Sequence, residues 1–187
     1  MKIKLFAFTA IASILFIVFS CDTNDSSNSK NIKEYKASLE NWNYLKLISG
    51  ASYRYEISTG SVFGFGSKTQ ITVENDIVVS RTHESYSIYD NDNNYLGYDN
   101  RLILNSYTED IENLGANPEG ALPLTIDQLY DTCFSDYLSV DTDSNTITFN
   151  VDDFNIIKNC YYIPNGCQDD CTFGITITNF EWLGTSN

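Results

Sequence analysis

Apolar positions divide the chain into regimes with different periods. Leu5 to Phe19 is apolar except for Thr9 and Ser13, and Lys2 and Lys4 stand ahead of it. Asp22 to Lys30 then holds no residue that forms a core. From there Ile32, Tyr35, Leu39, Trp42, Leu45 and Ile48 recur near helical spacing. The pattern predicts a helix that opens at Asn31, with Glu34 three residues on in the form of a capping box, and stops at Gly50. Trp42 falls on the apolar stripe, which assigns it to the core.

After Ser52 the period becomes two. Tyr53, Tyr55 and Ile57 alternate with Arg54, Glu56 and Ser58, as in a strand with one covered face. Gln70–Val73 and Ile77–Arg81 flank Glu74-Asn75-Asp76, and Asn and Asp tolerate the left-handed backbone of a tight hairpin turn. Further strands are expected at Ser85–Tyr89, Leu102–Tyr107, Asn145–Val151, Ile156–Ile163 and Thr172–Trp182. Glu109 to Pro123 reads as an irregular surface connection. Thr125-Ile-Asp-Gln128 repeats the capping-box form and predicts a short helix to about Asp131, with Leu124 and Leu129 placed as a hydrophobic staple. The class expected is α+β: an N-terminal helix packed on an antiparallel β-sheet, with one short second helix. Strand order is not readable, and no internal repeat is visible.

The first twenty residues have the charged head and apolar middle of a secretion signal. Their apolar run is shorter than the ~20 residues a spanning helix needs. Val18-Phe19-Ser20-Cys21 resembles the lipobox of bacterial lipoproteins, although Phe19 is bulkier than the usual occupant. The resemblance implies cleavage before Cys21 and lipidation, including palmitate, on that cysteine. The division expected is a signal peptide over 1–20, a flexible tether over 21–30 and one α+β domain over 31–187. Cys21 would tie the protein to a membrane of the bacterial cell envelope, the outer one in this reading.

Charge narrows the partners. Cleavage removes two lysines and leaves 9 basic against 25 acidic side chains, a net −16. Such a polyanion repels nucleic acid, so no nucleic-acid partner is expected. The remaining Cys133, Cys160, Cys167 and Cys171 are an even set in a compartment that permits disulfides, and two bridges are expected. Three connectivities are open. The spacing leans toward the last three forming one loop cluster, with Cys133 reaching across. Zinc is the rival use of four cysteines, but no Cys-x-x-Cys knuckle is present.

Candidate chemistry is sparse. His83 is the single histidine, no Gly-x-Ser-x-Gly elbow occurs, and no catalytic residue or cofactor site is assigned. Gly60 to Gly66 is glycine-rich, but no helix pattern follows to present amides to a phosphate, so it reads as a loop. Asp90-x-Asp92-x-Asn94 and Asp141-x-Asp143-x-Asn145 space oxygen ligands as calcium loops do, without the glycine and bidentate Glu of the full pattern. Asp141, Asp143, Asn145 and Asp152 form the better calcium candidate. Asp and Asn are equally ordinary turn residues.

Trp42, Ser52-Tyr-Arg-Tyr55, Ile71 to Val79, Thr125-Ile-Asp-Gln-Leu-Tyr130, Cys160-Tyr-Tyr-Ile-Pro164 and Asp170 to Ile177 together resemble bacterial domain-of-unknown-function family 6174. The resemblance implies a secreted or lipid-anchored protein and brings no activity and no site residue. The expected role is a non-catalytic envelope or surface module that binds a protein, glycan or small ligand. Two alternatives stay open at this point: a carboxylate-based extracellular hydrolase, and a calcium-stabilised structural lipoprotein.

Overall fold

A computed structural model describes residues 23–169 and 171–184. The signal-like segment 1–20 and Cys21 lie outside the described residues. The architecture is α+β. Helix α1 (Thr23–Ser49) precedes strands β1 (Tyr53–Gly60), β2 (Phe65–Glu74), β3 (Ile77–Ser87) and β4 (Leu102–Asp110). Helix α2 (Ile126–Thr132) runs into a π-helical turn (Cys133–Tyr137), and β5 (Asn145–Val151), β6 (Ile157–Pro164) and β7 (Phe173–Trp182) follow. The strands form one antiparallel sheet in the order β4-β3-β2-β1-β7-β6-β5.

The hairpin between β2 and β3 turns on Asn75 and Asp76, both with positive φ, as the left-handed preference of these residues requires. Ser85–Tyr89 is not a separate strand: β3 continues through Ser87 and pairs with β4. At α2, Gln128 N donates to Thr125 Oγ1 at 3.2 Å and Thr125 N donates to Gln128 Oε1 at 2.8 Å, so the capping box forms as read.

Helix α1 starts at Thr23 rather than at Asn31, so residues 23–30 are helical and not a flexible tether. The segment contains no Pro or Gly, and adding turns to a helix that is already docked avoids the cost of nucleation. Asn31 does not cap. It is buried, and its Nδ2 donates to Ile147 O at 3.0 Å. Tyr35 meets Phe149 edge-on, and Asn41 Nδ2 donates to Phe154 O at 2.8 Å, so α1 lies along β5 and runs the same way. Trp42 is fully buried, stacked on Trp182 with ring centres 5.4 Å apart and edge-on to Tyr53.

Strand β7 joins the two halves of the sheet. Phe173–Thr176 pairs with β6 and Ile177–Trp182 pairs with β1. Glycine is needed at 174, because a Cβ there would lie 2.2 Å from Cys160 O on the neighbouring strand.

Cys133 bridges to Cys160, and Cys167 bridges to Cys171. Cys160 is a buried residue of β6 and does not belong to a loop cluster, which corrects that expectation. The first bridge ties the π-helical turn to the sheet across 27 residues and the second closes 4. Chain-entropy loss in the unfolded state scales with loop length. Replacing Cys133 and Cys160 together by Ala should cost about 3–4 kcal/mol in urea unfolding, and opening the Cys167–Cys171 loop about 1.5 kcal/mol less.

Candidate functional site

A buried ion pair holds the connection between β4 and α2 against the sheet. Arg81 on β3 is 1% exposed and Glu109 on β4 is 0% exposed. The guanidinium donates from Nε and Nη2 to the two carboxylate oxygens, each at 2.8 Å. Its remaining donors reach Ala121 O at 3.0 Å and Asn117 O at 2.8 Å. Glu109 also accepts from Gly115 N, Asn117 N and Asn117 Nδ2. The hydrogen bond from Arg81, joined by these amides, holds the Glu109 carboxyl well below its ordinary 4.5. The connection expected to start at Glu109 starts after Asp110: Glu109 is a buried residue of β4, and the segment beyond it lies mostly at the surface but is pinned there.

Beside the pair, Thr69 Oγ1 and His83 Nδ1 lie 2.9 Å apart, and Ala121 N donates to Thr69 Oγ1. Gly120 crosses above them with φ +81, where a Cβ would meet His83 Nδ1 at 2.5 Å. Only glycine permits both the backbone angle and the approach. Burial holds His83 below its ordinary 6.5, and its ring stacks on Tyr107 at 5.2 Å. His83 is thus a covered residue of the sheet. The Tyr55 hydroxyl donates to Leu124 O, and burial pushes that phenol well above its ordinary value, which keeps it a donor.

The pinned connection forms one wall of a groove of about 570 Å³ on the covered face. Ile57, Thr59, Ser67 and Thr69 supply its floor, Gly120 to Leu122 and Leu124 one wall, and Leu129, Thr132, Asp136 and Tyr137 the other. Gly174 and Ile175 of β7 complete it. Volumes of this order suit small ligands or peptide segments.

The groove meets a second cleft where β1 and β7 part. Their pairing ends at Ile57 and Ile177, just past a bulge at Thr178. Beyond it Ser58–Gly60 stays paired with β2, and Phe173–Thr176 with β6. A cleft of about 330 Å³ opens between them, lined by small residues including Ser58, Gly60, Thr172 and Thr176. It shares Ile57, Thr59 and Gly174 with the groove. A bulge bends its strand and adds twist, which accounts for the parting at this point.

The calcium candidates do not converge. Asp141 accepts from Asp143 N at 3.2 Å and from Ser144 Oγ at 2.7 Å, and Asn145 Nδ2 donates to Asp141 O. Asp152 lies beyond the other end of β5, about 20 Å away at ~3.3 Å per residue. There its Oδ1 accepts from Phe154 N and Ile156 N. Asp90 likewise takes Asp92 N, Asn94 N and Asn94 Nδ2. These acids close their own turns. Among the described residues no group of three or more His, Cys, Asp or Glu is placed to hold a metal.

Comparison with protein-family models finds no match for the chain, and comparisons with curated proteins and with solved structures find none either. No residue role is carried over from another protein.

The lowered pKa of Glu109 has a measurable consequence. Its contribution to stability is complete above the ordinary carboxyl value and is lost as pH falls through the lower folded-state value. The Glu109→Gln variant should be less stable than the parent at pH 7, and the gap should narrow as pH falls below about 4.5 in urea titrations. A gap that stays constant with pH would rule out the pair as its source.

Proposed function

We propose that this chain is an exported, lipid-anchored envelope protein whose folded part is a non-catalytic module for an extended polypeptide segment. The parting of β1 and β7 above the groove carries the reading. Ser58–Gly60 and Phe173–Thr176 present two strand edges that pair with outer neighbours and not with each other. Backbone donors and acceptors on such edges are complemented by another extended backbone. The adjoining groove offers apolar floor and wall at Ile57, Leu122, Leu124 and Ile175 for alternate side chains of that segment.

The carboxylates that geometry singles out support binding over hydrolysis. Glu109 is saturated by Arg81 and three amide donors, and Asp152 Oδ1 is engaged by its own turn. The apolar run from Leu5 to Phe19 and the lipobox at Cys21 support the exported setting. No helix among the described residues is long and apolar enough to cross a membrane, and the proposed attachment is the lipid on Cys21.

The full chain carrying Cys21→Ala should leave the membrane fraction and become soluble. Immobilised, it should retain an envelope polypeptide that a Leu122→Arg version loses by tenfold or more. Leu122 is 68% exposed, so the change charges the groove without disturbing the core. Equal retention by both, or retention of nothing, would remove the groove as the binding site. Continued membrane association of the Cys21→Ala chain would remove the anchor.

A further inference from the structure

Exposed apolar side chains gather at both ends of the sheet: Leu47, Ile48 and Ile77 by the end of α1 and the β2–β3 turn, and a second group at the end from which α1 starts. In the loop between β1 and β2, Val62 is 82% exposed and Phe63 71%, and Phe65 follows at 55%. Phe63 and Phe65 stand with Tyr89, Leu102 and Leu104 around a shallow hollow of about 240 Å³. Consecutive exposure of large apolar residues is uncommon on a protein surface and marks contact with another apolar phase.

The path of α1 identifies that phase. Asn31 bonds to Ile147 near the start of β5, while Lys46 pairs with Asp76 at the β2–β3 turn. The helix therefore begins at the end of the sheet that carries the β1–β2 loop, the start of β4 and the β6–β7 connection. From Asn31, level with Ile147 two residues inside β5, it runs about 12 Å to Thr23 and so projects about 5 Å past the start of β5, at ~1.5 and ~3.3 Å per residue. Cys21 precedes Thr23 by two residues, a reach of about 7 Å, so a bilayer that holds the lipid lies close to the start of α1. The β1–β2 loop lies three to four strands across the sheet from β5, about 14–19 Å at ~4.8 Å per strand. A helix tilt of about 15–20° lowers the loop to the plane of the helix start.

We infer that Val62, Phe63 and Phe65 form a second membrane contact, inserting into the interface of the same bilayer that holds lipidated Cys21. The inference rests on the anchor reading above. Charge selects the lipid: Asp90, Asp92, Asp141 and Asp143 sit in loops at this end and repel anionic headgroups, so the fitting surface is zwitterionic.

The test uses the lipidated protein reconstituted into phosphatidylethanolamine–phosphatidylcholine vesicles. Cys133, Cys160, Cys167 and Cys171 are bridged. A cysteine introduced as Phe63→Cys can therefore be labelled alone with a polarity-sensitive dye, with Val62→Cys as a second probe and Asp76→Cys as the far-end control. In vesicles the labels at 62 and 63 should shift to the blue and be shielded from an aqueous quencher, while the label at 76 should not. Protein that floats with vesicles but leaves all three labels equally exposed overturns this inference and spares the anchor. Failure to float overturns both. A blue shift that grows with concentration in the lipid-free Cys21→Ala chain assigns the loop to contact between copies and overturns the inference.

Discussion

Hydrogen bonding along β7 is the constraint on which the rest of the molecule hangs. A strand inside a sheet ordinarily pairs along both edges, but β7 bonds to β6 with its first half and to β1 with its second. Two units are coupled through it: α1 with β5 and β6, and the four-stranded meander β1 to β4. Burial of Trp42 against Tyr53 and Trp182 makes the same coupling from the other side, because it brings α1, β1 and the end of β7 together. The stagger leaves two strand edges facing across a cleft at one end. The fold is thus held and opened by the same strand.

A second interaction decides which face of the meander is covered. The sheet bears Arg81, His83 and Glu109 on the face that also holds Tyr53, Tyr55, Ile71 and Val73, and all of these are buried. Burying a charged pair carries a large desolvation cost, and it is sustained here because each guanidinium nitrogen and both carboxylate oxygens have partners. The backbone of the connection after β4 supplies those partners. A stretch with few core formers is thereby fixed as a wall, and the groove inherits its shape from an electrostatic requirement.

Local rules were legible in the chain, and long-range ones were not. The Thr125 capping box, the Asn75–Asp76 hairpin and the alternation from Tyr53 to Ile57 each depend on neighbours within a few residues, and all three form. Strict alternation places Ile77, Val79 and Arg81 on one face. A bulge between Val78 and Ser80 shifts the register, so Val78 and Arg81 turn inward while Ile77 is exposed. Nothing in the local pattern signals that extra residue, and Arg81 finds Glu109 only 28 positions later. The same limit explains the calcium reading: ligand spacing brought Asp152 close to Asp141 in sequence, but a strand between them carries it to the far end. The early start of α1 was hidden because polar composition measures the lack of a core, whereas helical continuation needs only the absence of breakers next to a docked segment.

That early start also changes how charge and attachment work together. A loose tether would let a domain of net −16 drift away from a bilayer and take any orientation. In the lipid-anchored reading, a helix that runs unbroken from Thr23 into the core would carry the attachment point to one end of the sheet, because α1 is fixed to β5 by Asn31 and Asn41 and to β1 and β7 by Trp42. The cleft between β1 and β7 opens toward the end from which α1 projects. In the lipid-anchored reading, an extended segment entering the cleft therefore approaches close to the membrane, which favours polypeptides that emerge from or lie along that surface over partners diffusing freely. The selection arises from the rigidity of one helix, before any side chain of the groove has made contact.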